Sequence, residues 1–161
     1  MSRTATHAGS WYSSSEKKLN RELDDWLAQV PEATDDSEPY PIQGARAIIA
    51  PVRILWPMLF HPNRHAGYSY SGPTAAFAYK CVNQLFIKRV FILGPSHHEY
   101  LPGCALSILK KYQTPLGDLT LDLEVIKALK KTGHFTEMTK CVDEDEHSIE
   151  MHLPYIYKIF E

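Results

Sequence analysis

Leu19, Leu23, Trp26, Leu27 and Val30 recur three and four residues apart, with mostly charged or polar positions between them. That is the period of a helix with one apolar face, and it predicts a helix over Ser13–Val30. Ser13 and Glu16 have the spacing of a capping box, in which each side chain answers a backbone N–H of the other's turn, and Pro31 ends the run. Two shorter runs carry a different pattern. Arg46 to Ala50 (RAIIA) and Arg89 to Gly94 (RVFILG) are apolar at successive positions and too short for helices. Both predict strands covered on both faces, as in a parallel sheet.

Further along, Cys104–Leu109 predicts a third strand and Leu119–Leu123 a short strand or turn. Gly72-Pro73 predicts the opening of an alanine-rich helix towards Leu85, with the residues HAGYSY before it as a loop. Leu123–Thr132 predicts a helix with Lys130 and Lys131 at its negative end and Gly133 beyond it. The final segment, DEDEHSIEMHLPYIYKIF, opens with acids where a helix N-terminus favours them, and Pro154 should break it. Strand, loop, helix and strand in this order predict an α/β domain spanning 1–161, with right-handed crossovers. The proline- and acid-rich stretch Pro31–Gly44 is expected to be a solvated surface loop.

Composition narrows the class. A chain of 161 residues with 44% hydrophobic and 22% charged positions can bury a core. A net charge of -2, with no basic stripe, argues against a nucleic-acid binder. The N-terminus lacks the apolar segment of a signal peptide, and no apolar run approaches the length of a membrane span. Three cysteines, Cys81, Cys104 and Cys141, without paired spacing predict reduced thiols and a cytosolic location.

The chemistry, if there is any, lies with histidine. His65 follows the first apolar run and His97-His98 the second. In open α/β sheets ligands gather beyond the carboxyl ends of neighbouring strands, so loops distant in sequence meet there. Imidazole suits iron, copper and zinc, and two histidines with a carboxylate or thiolate make a competent donor set. Adjacent side chains diverge, so one of His97 and His98 should orient or pack rather than chelate. A hydrogen-bonding loop histidine is the commoner outcome for any one of them. In EHSIEMH, His147, Glu150 and Met151 fall near one helix face, with His152 off it. They read either as a His/Glu pair behind a site or as a capped helix start with solvated acids. The HExxH spacing, a G-x-S-x-G elbow and glycine-rich nucleotide loops are all absent.

THAGSWY, ARAIIAP, HAGYSYSG, RVFILGPSHH, CALS, YQTPLGDL, KTGHF and DEDEHSIEMHLPY, in that order, closely resemble the MEMO family, mediators of ErbB2-driven cell motility. The resemblance implies a fold similar to class III extradiol (LigB-type) dioxygenases: a partial mixed or parallel sheet flanked by helices, lacking the C-terminal half. It implies a cytoplasmic or nuclear protein that binds copper (Cu+) or iron (Fe2+), with His65 and His97 as metal ligands and a third ligand, a cysteine, beyond Glu161. It also implies recognition of a phosphorylated receptor tyrosine kinase tail, with Trp11, Tyr70 and His65 at the peptide. His98, and His147 with Glu150 if these form a His/Glu pair, are the candidates for a place behind the metal. No residue is assigned as catalytic. The resemblance leaves open whether the longer family chains have a dioxygenase-like or copper-dependent redox activity, and such activity is less expected of this chain. One departure from the pattern is plain: family members run from IIAP directly into HAGY, whereas Val52–Arg64 stands between them here as an insertion. A longer loop costs little closure entropy, but it places His65 less accurately.

Overall fold

The computed structural model describes residues 1–31, 45–50 and 67–161, with the Phe86 side chain excepted. The acidic loop (apart from Pro31), the Val52–Arg64 block and His65 therefore lie outside the described residues.

The first helix, α1 (Glu16–Gln29), buries Leu19 and Leu23 completely, as its periodicity requires. Its cap differs from expectation. Ser15, not Ser13, takes the extended N-cap conformation and accepts from Lys18 N, while Ser13 Oγ accepts from Ser15 N in the preceding turn. With three consecutive serines, spacing to Glu16 could not select the capping one.

The next helix, α2 (Tyr68–Lys80), starts earlier than expected and absorbs YSY from the supposed loop. Pro73 sits inside it rather than at its opening. The early start has a tertiary cause: Tyr68 N donates to Trp11 O at 2.8 Å, so one orphan donor of the helix is satisfied from outside. At Gly67 a Cβ would lie 2.4 Å from that same oxygen, so only glycine allows the approach.

The remaining elements are β1 (Ser2–Arg3), β2 (Cys104–Ser107), β3 (Lys111–Thr114), β4 (Gly117–Thr120), α3 (Leu123–Lys131), β5 (Phe135–Met138), α4 (Lys140–Asp145), α5 (His147–Glu150) and α6 (Leu153–Ile159). They form two small sheets. In one, β3 lies between β1, parallel to it, and β4, antiparallel; in the other, β2 and β5 run parallel. The fold is thus mixed α/β, with small mixed and parallel sheets flanked by helices. Helix α3 matches its prediction, with Asp122 capping its start and Gly133 at φ +77° after its end. The last segment breaks at Met151–His152, and Pro154 occupies the first turn of α6. Cys141 falls in α4.

The two apolar runs depart most from expectation. Residues 46–50 and 89–94 carry no ladder among the described residues; the nearest pairing is a single bridge between Ala45 and Val82. Nor are they buried: Ile49 is 98% exposed and Leu93 86%. A parallel central strand needs neighbours on both edges and cover on both faces. Here Ile48, Ala50 and Ile92 pack on the core while Ile49, Phe91 and Leu93 face outward.

The core itself is rich in tyrosine. Tyr12, Tyr68, Tyr79 and Tyr155 are buried with Leu19, Leu23 and Ile156 between α1, α2 and α6. Each phenol has a partner: Tyr68 donates to Met151 O at 2.7 Å, Tyr155 to Gly72 O at 2.6 Å and Tyr12 to Glu150 at 2.6 Å, while Tyr79 pairs with His152 Nδ1 at 2.7 Å. Burial pushes all four phenols upward, so they stay protonated donors. The apolar C-terminal turn is not left uncovered, since Ile159 and Phe160 pack against this core.

Candidate functional site

The site grows from the break between α4 and α5. Glu146 caps α5, its carboxylate accepting from Ser148 N at 2.8 Å. The same carboxylate accepts from His97 N at 2.6 Å and meets His97 Nδ1 at 2.8 Å. Thus one acid ties the loop after 89–94 to the start of α5, helped by Ser148 Oγ donating to Pro95 O at 2.7 Å. Burial drives the Glu146 carboxyl up, but the hydrogen bonds from His97 and Ser148 outweigh it and bring its pKa to about 2. The acid is therefore a carboxylate at any physiological pH.

Beside it four imidazoles and an indole cluster, with His147 at the centre. His147 stacks on His97, with centroids 4.4 Å apart and planes 7° from parallel, and on its other side it stacks on Trp11 at 4.4 Å. His98 and His7 approach His147 by their edges, at 6.0 and 5.9 Å. Burial, together with the neighbouring histidines, lowers the His147 pKa despite Glu146, so this ring is held neutral.

A buried acid lies behind the cluster. Glu150 has no exposed surface and is not one of the solvated acids that a simple helix start would carry. It meets His7 Nδ1 at 2.9 Å and accepts from His7 N at 2.9 Å, Tyr12 Oη at 2.6 Å and Arg3 Nη1 at 2.6 Å. Arg3, equally buried, also reaches Asp143 Oδ1 at 3.1 Å and donates to Glu146 O at 2.8 Å. Asp143 in turn accepts from Ser107 and Tyr112. Burial raises the Glu150 carboxyl, and the Arg3 charge with the Tyr12 and His7 hydrogen bonds turns the net shift downward.

Could these residues hold a metal? Donor atoms of His97, Glu146 and His147 lie within 4.8 Å of one another. Yet the two rings are face to face, so their in-plane lone pairs run side by side. A single ion about 2 Å from both would require one ring to tilt. His97 alone is better prepared. With Nδ1–H on a carboxylate, its Nε2 carries the lone pair, the arrangement that supports metal-bound histidines. The donor set fits a metal bound through His97 and oriented by Glu146, with His147 a packing neighbour.

Of the residues expected at the site, His97, His98, His147 and Trp11 are brought together, and Glu150 stands behind them. Tyr70 lies in the first turn of α2, which docks on the Trp11 carbonyl, and is 39% exposed. His65 falls outside the described residues. Sequence reasoning missed Glu146 and His7. Both were visible as charged or ligating residues in quoted motifs, but nothing in the spacing distinguished them.

The comparisons with known proteins follow the same segments. A family model described as Memo-like protein matches residues 3–161. The chain belongs to the Memo-like family. It is 51% identical over 159 residues to Protein MEMO1 of Xenopus laevis and 48% to that of Homo sapiens, matching 99% of this chain but 46% of each relative. A Protein memo-1 homolog of Caenorhabditis elegans is 46% identical over 157 residues, covering 98% of this chain and 39% of its own. The chain thus spans just under half the length of these relatives. The Memo-like family fits the dioxygenase-like fold expected from the sequence, and the two small sheets flanked by helices agree with it. No helix among the described residues is long and apolar enough to cross a membrane.

Proposed function

We propose that this chain is a Memo-type signalling protein of receptor-tyrosine-kinase-driven, microtubule-dependent cell motility, and that its molecular activity is to bind copper (Cu+) or iron (Fe2+) at His97. The observation that carries the metal reading is the Glu146 carboxylate 2.8 Å from His97 Nδ1, which leaves Nε2 as the free donor. His65 is the second ligand in this reading. When bound, the ion supplies one-electron chemistry or a Lewis acid, and so a means of controlling oxidant production. The chain's own part is to fix the imidazole: Glu146 holds its tautomer, Ser148 N holds Glu146, and the stacked His147 and Trp11 hold its plane. The cytoplasm or the nucleus, where thiols stay reduced, suits that chemistry.

Titration with Cu+ and Fe2+ tests the reading. His97→Ala should abolish tight binding, and Glu146→Gln should weaken it by about 10- to 100-fold. His65→Ala should weaken it as well. Unchanged uptake by the His97→Ala protein removes the proposal.

A second reading, capture of a phosphorylated ErbB2-like receptor tail, rests on Trp11 beside the cluster and on half-exposed Tyr70. The charges nearest the histidines argue against it without a metal: Glu146 and Glu150 are anionic, and Arg3 is spent on Asp143 and Glu150. Calorimetry with phosphorylated and unphosphorylated peptide, with and without metal, separates the readings. Phosphate-dependent affinity in metal-free protein would favour the adaptor.

A further inference from the structure

The core tyrosines differ in what receives their hydrogen bonds. Tyr68 and Tyr155 donate to the backbone carbonyls of Met151 and Gly72, which hold the proton in place but cannot take it. Tyr12 donates at 2.6 Å to the Glu150 carboxylate, which can. Tyr12 also directly follows Trp11. The turn that carries both is closed by Trp11 N donating to His7 O at 2.9 Å and Gly9 N to Tyr12 O at 2.7 Å. Trp11 stacks on His147, and His147 on His97, each pair with centroids 4.4 Å apart. Aromatic residues thus run, in contact or in sequence, from exposed His97 to buried Tyr12.

Charge favours an electron hole along this line. Glu146 lies 3.8 Å from His147 Nδ1 and Glu150 lies 2.9 Å from His7 Nδ1, and both rings pack on Trp11. Carboxylates so close to an indole stabilise its radical cation. Beyond Tyr12 the line stops. Tyr68 follows with its centroid at 5.3 Å, but its proton rests on a carbonyl and has no base to go to.

We propose that His97, His147, Trp11 and Tyr12 form a one-electron relay, which draws an oxidising equivalent from a peroxide-derived radical at His97 and settles it on Tyr12 as the phenolic proton passes to Glu150. The oxidant class is that of the carbonate radical anion, which gains one electron and leaves as carbonate. The imidazoles couple the two ends and are not themselves oxidised. Trp11 gives up the electron and becomes the indole radical cation. That cation takes an electron from Tyr12 while the phenolic O–H bond breaks. The products are neutral Trp11, the neutral Tyr12 phenoxyl radical and Glu150 as the neutral acid, so charge balances. At 2.6 Å the proton moves within an existing hydrogen bond. A thiolate arriving at half-buried Trp11 resets the pair: it supplies the electron, Glu150 returns the proton to Tyr12 Oη, and two thiyl radicals join as a disulfide. The relay rests on the metal reading for the source of its oxidant, but its rings and its proton acceptor do not.

The test places a photo-oxidant at the His97 end of the full chain, without metal. A ruthenium trisbipyridyl label is attached at Glu99→Cys in a background of Cys104→Ser, Cys141→Ser, Trp56→Phe and Tyr100→Phe. A laser flash with methyl viologen as quencher oxidises the label, and transient absorption follows the radicals. An indole radical cation should appear first and give way to a neutral tyrosyl radical, more slowly in heavy water because a proton moves. Trp11→Phe should abolish both signals, and Tyr12→Phe should leave the indole signal without its successor. Glu150→Gln should slow the tyrosyl step on the order of a hundredfold. Should circular dichroism show that variant unfolded, the heavy-water comparison with Glu150 in place reads the same proton transfer. Tyr79→Phe should change nothing. A tyrosyl signal that survives Tyr12→Phe, or that rises equally fast in heavy water, overturns the proposal, as does relay through the Trp11→Phe protein. Copper titration of the unlabelled chain reports the metal reading separately, so a working relay without copper binding, or the reverse, shows which of the two has failed.

Discussion

At the residue scale, Arg3 has the most exacting role. Its guanidinium is fully buried, and it binds two buried carboxylates and three backbone carbonyls while lying 5.6 Å from the Tyr112 ring centroid. Removing it strands Asp143 and Glu150 as unpaired buried acids. Arg3→Ala should therefore cost about 3–5 kcal/mol in urea unfolding, whereas a surface ion pair such as Lys18–Glu22 is worth under about 1. Glu150 adds a pH dependence. Its folded pKa lies below its ordinary 4.5, so the protein gains stability from it above that value. The gain should disappear as pH falls from about 4.5 through the depressed value. Glu150→Gln should be less stable at pH 7 and decline less steeply in acid; parallel curves for the two proteins would show that the Arg3 contact contributes nothing. The sequence supplied His97, His98, His147, Glu150 and Trp11 through motif and spacing. It concealed Glu146 inside DEDE, where four successive acids look alike until a fold buries some of them. His7 was hidden because its role depends on a contact across 143 residues.

At the scale of elements, α1 and α2 are held together through glycine. A Cβ at Gly72 would fall 2.3 Å from Trp26 Cζ3, so alanine there forces the indole aside. The helix itself would gain about 1 kcal/mol from alanine, while overpacking costs about 1–3, so a net loss is expected. Gly72→Ala should lower the melting temperature, and Trp26→Leu in the same chain should restore part of it. An unchanged melting temperature for Gly72→Ala would mean the two helices are not in tight contact. Which elements were legible follows from the same local physics. Helices α1 and α3 carry amphipathic periods and caps of their own, so the sequence announces them. Strands β3, β4 and β5 (KYQT, GDLT, FTEM) lack an apolar run, and their pairing decides them. The runs RAIIA and RVFILG showed the opposite case: strand-like composition without a ladder, because neighbours rather than propensity complete a strand.

At the scale of the molecule, the chain is closed by its own beginning. Met1 O accepts from Lys110 N at 3.0 Å, β1 pairs with β3, Thr4 N reaches Glu144, and Arg3 binds the segment that carries Glu146 and Glu150. The first four residues thereby join the β1–β3–β4 sheet to the α4–α5 corner on which His97 is anchored. Contacts this distant in sequence form late, because the whole intervening chain must be ordered before they can be made. They should also be what makes unfolding a single event. A chain starting at Ala5 loses Arg3 and the edge strand together, so its destabilisation should exceed that of Arg3→Ala. With Trp56 replaced by Phe so that only Trp11 and Trp26 on the helical side report, its transitions followed by tryptophan fluorescence and by far-ultraviolet circular dichroism should separate. In that shortened chain Glu146 would keep Ser148 but lose the support of the corner, and metal affinity should fall with it although no ligand has been altered. Coincident transitions and undiminished metal binding would show instead that the N-terminal segment merely decorates a fold already closed without it.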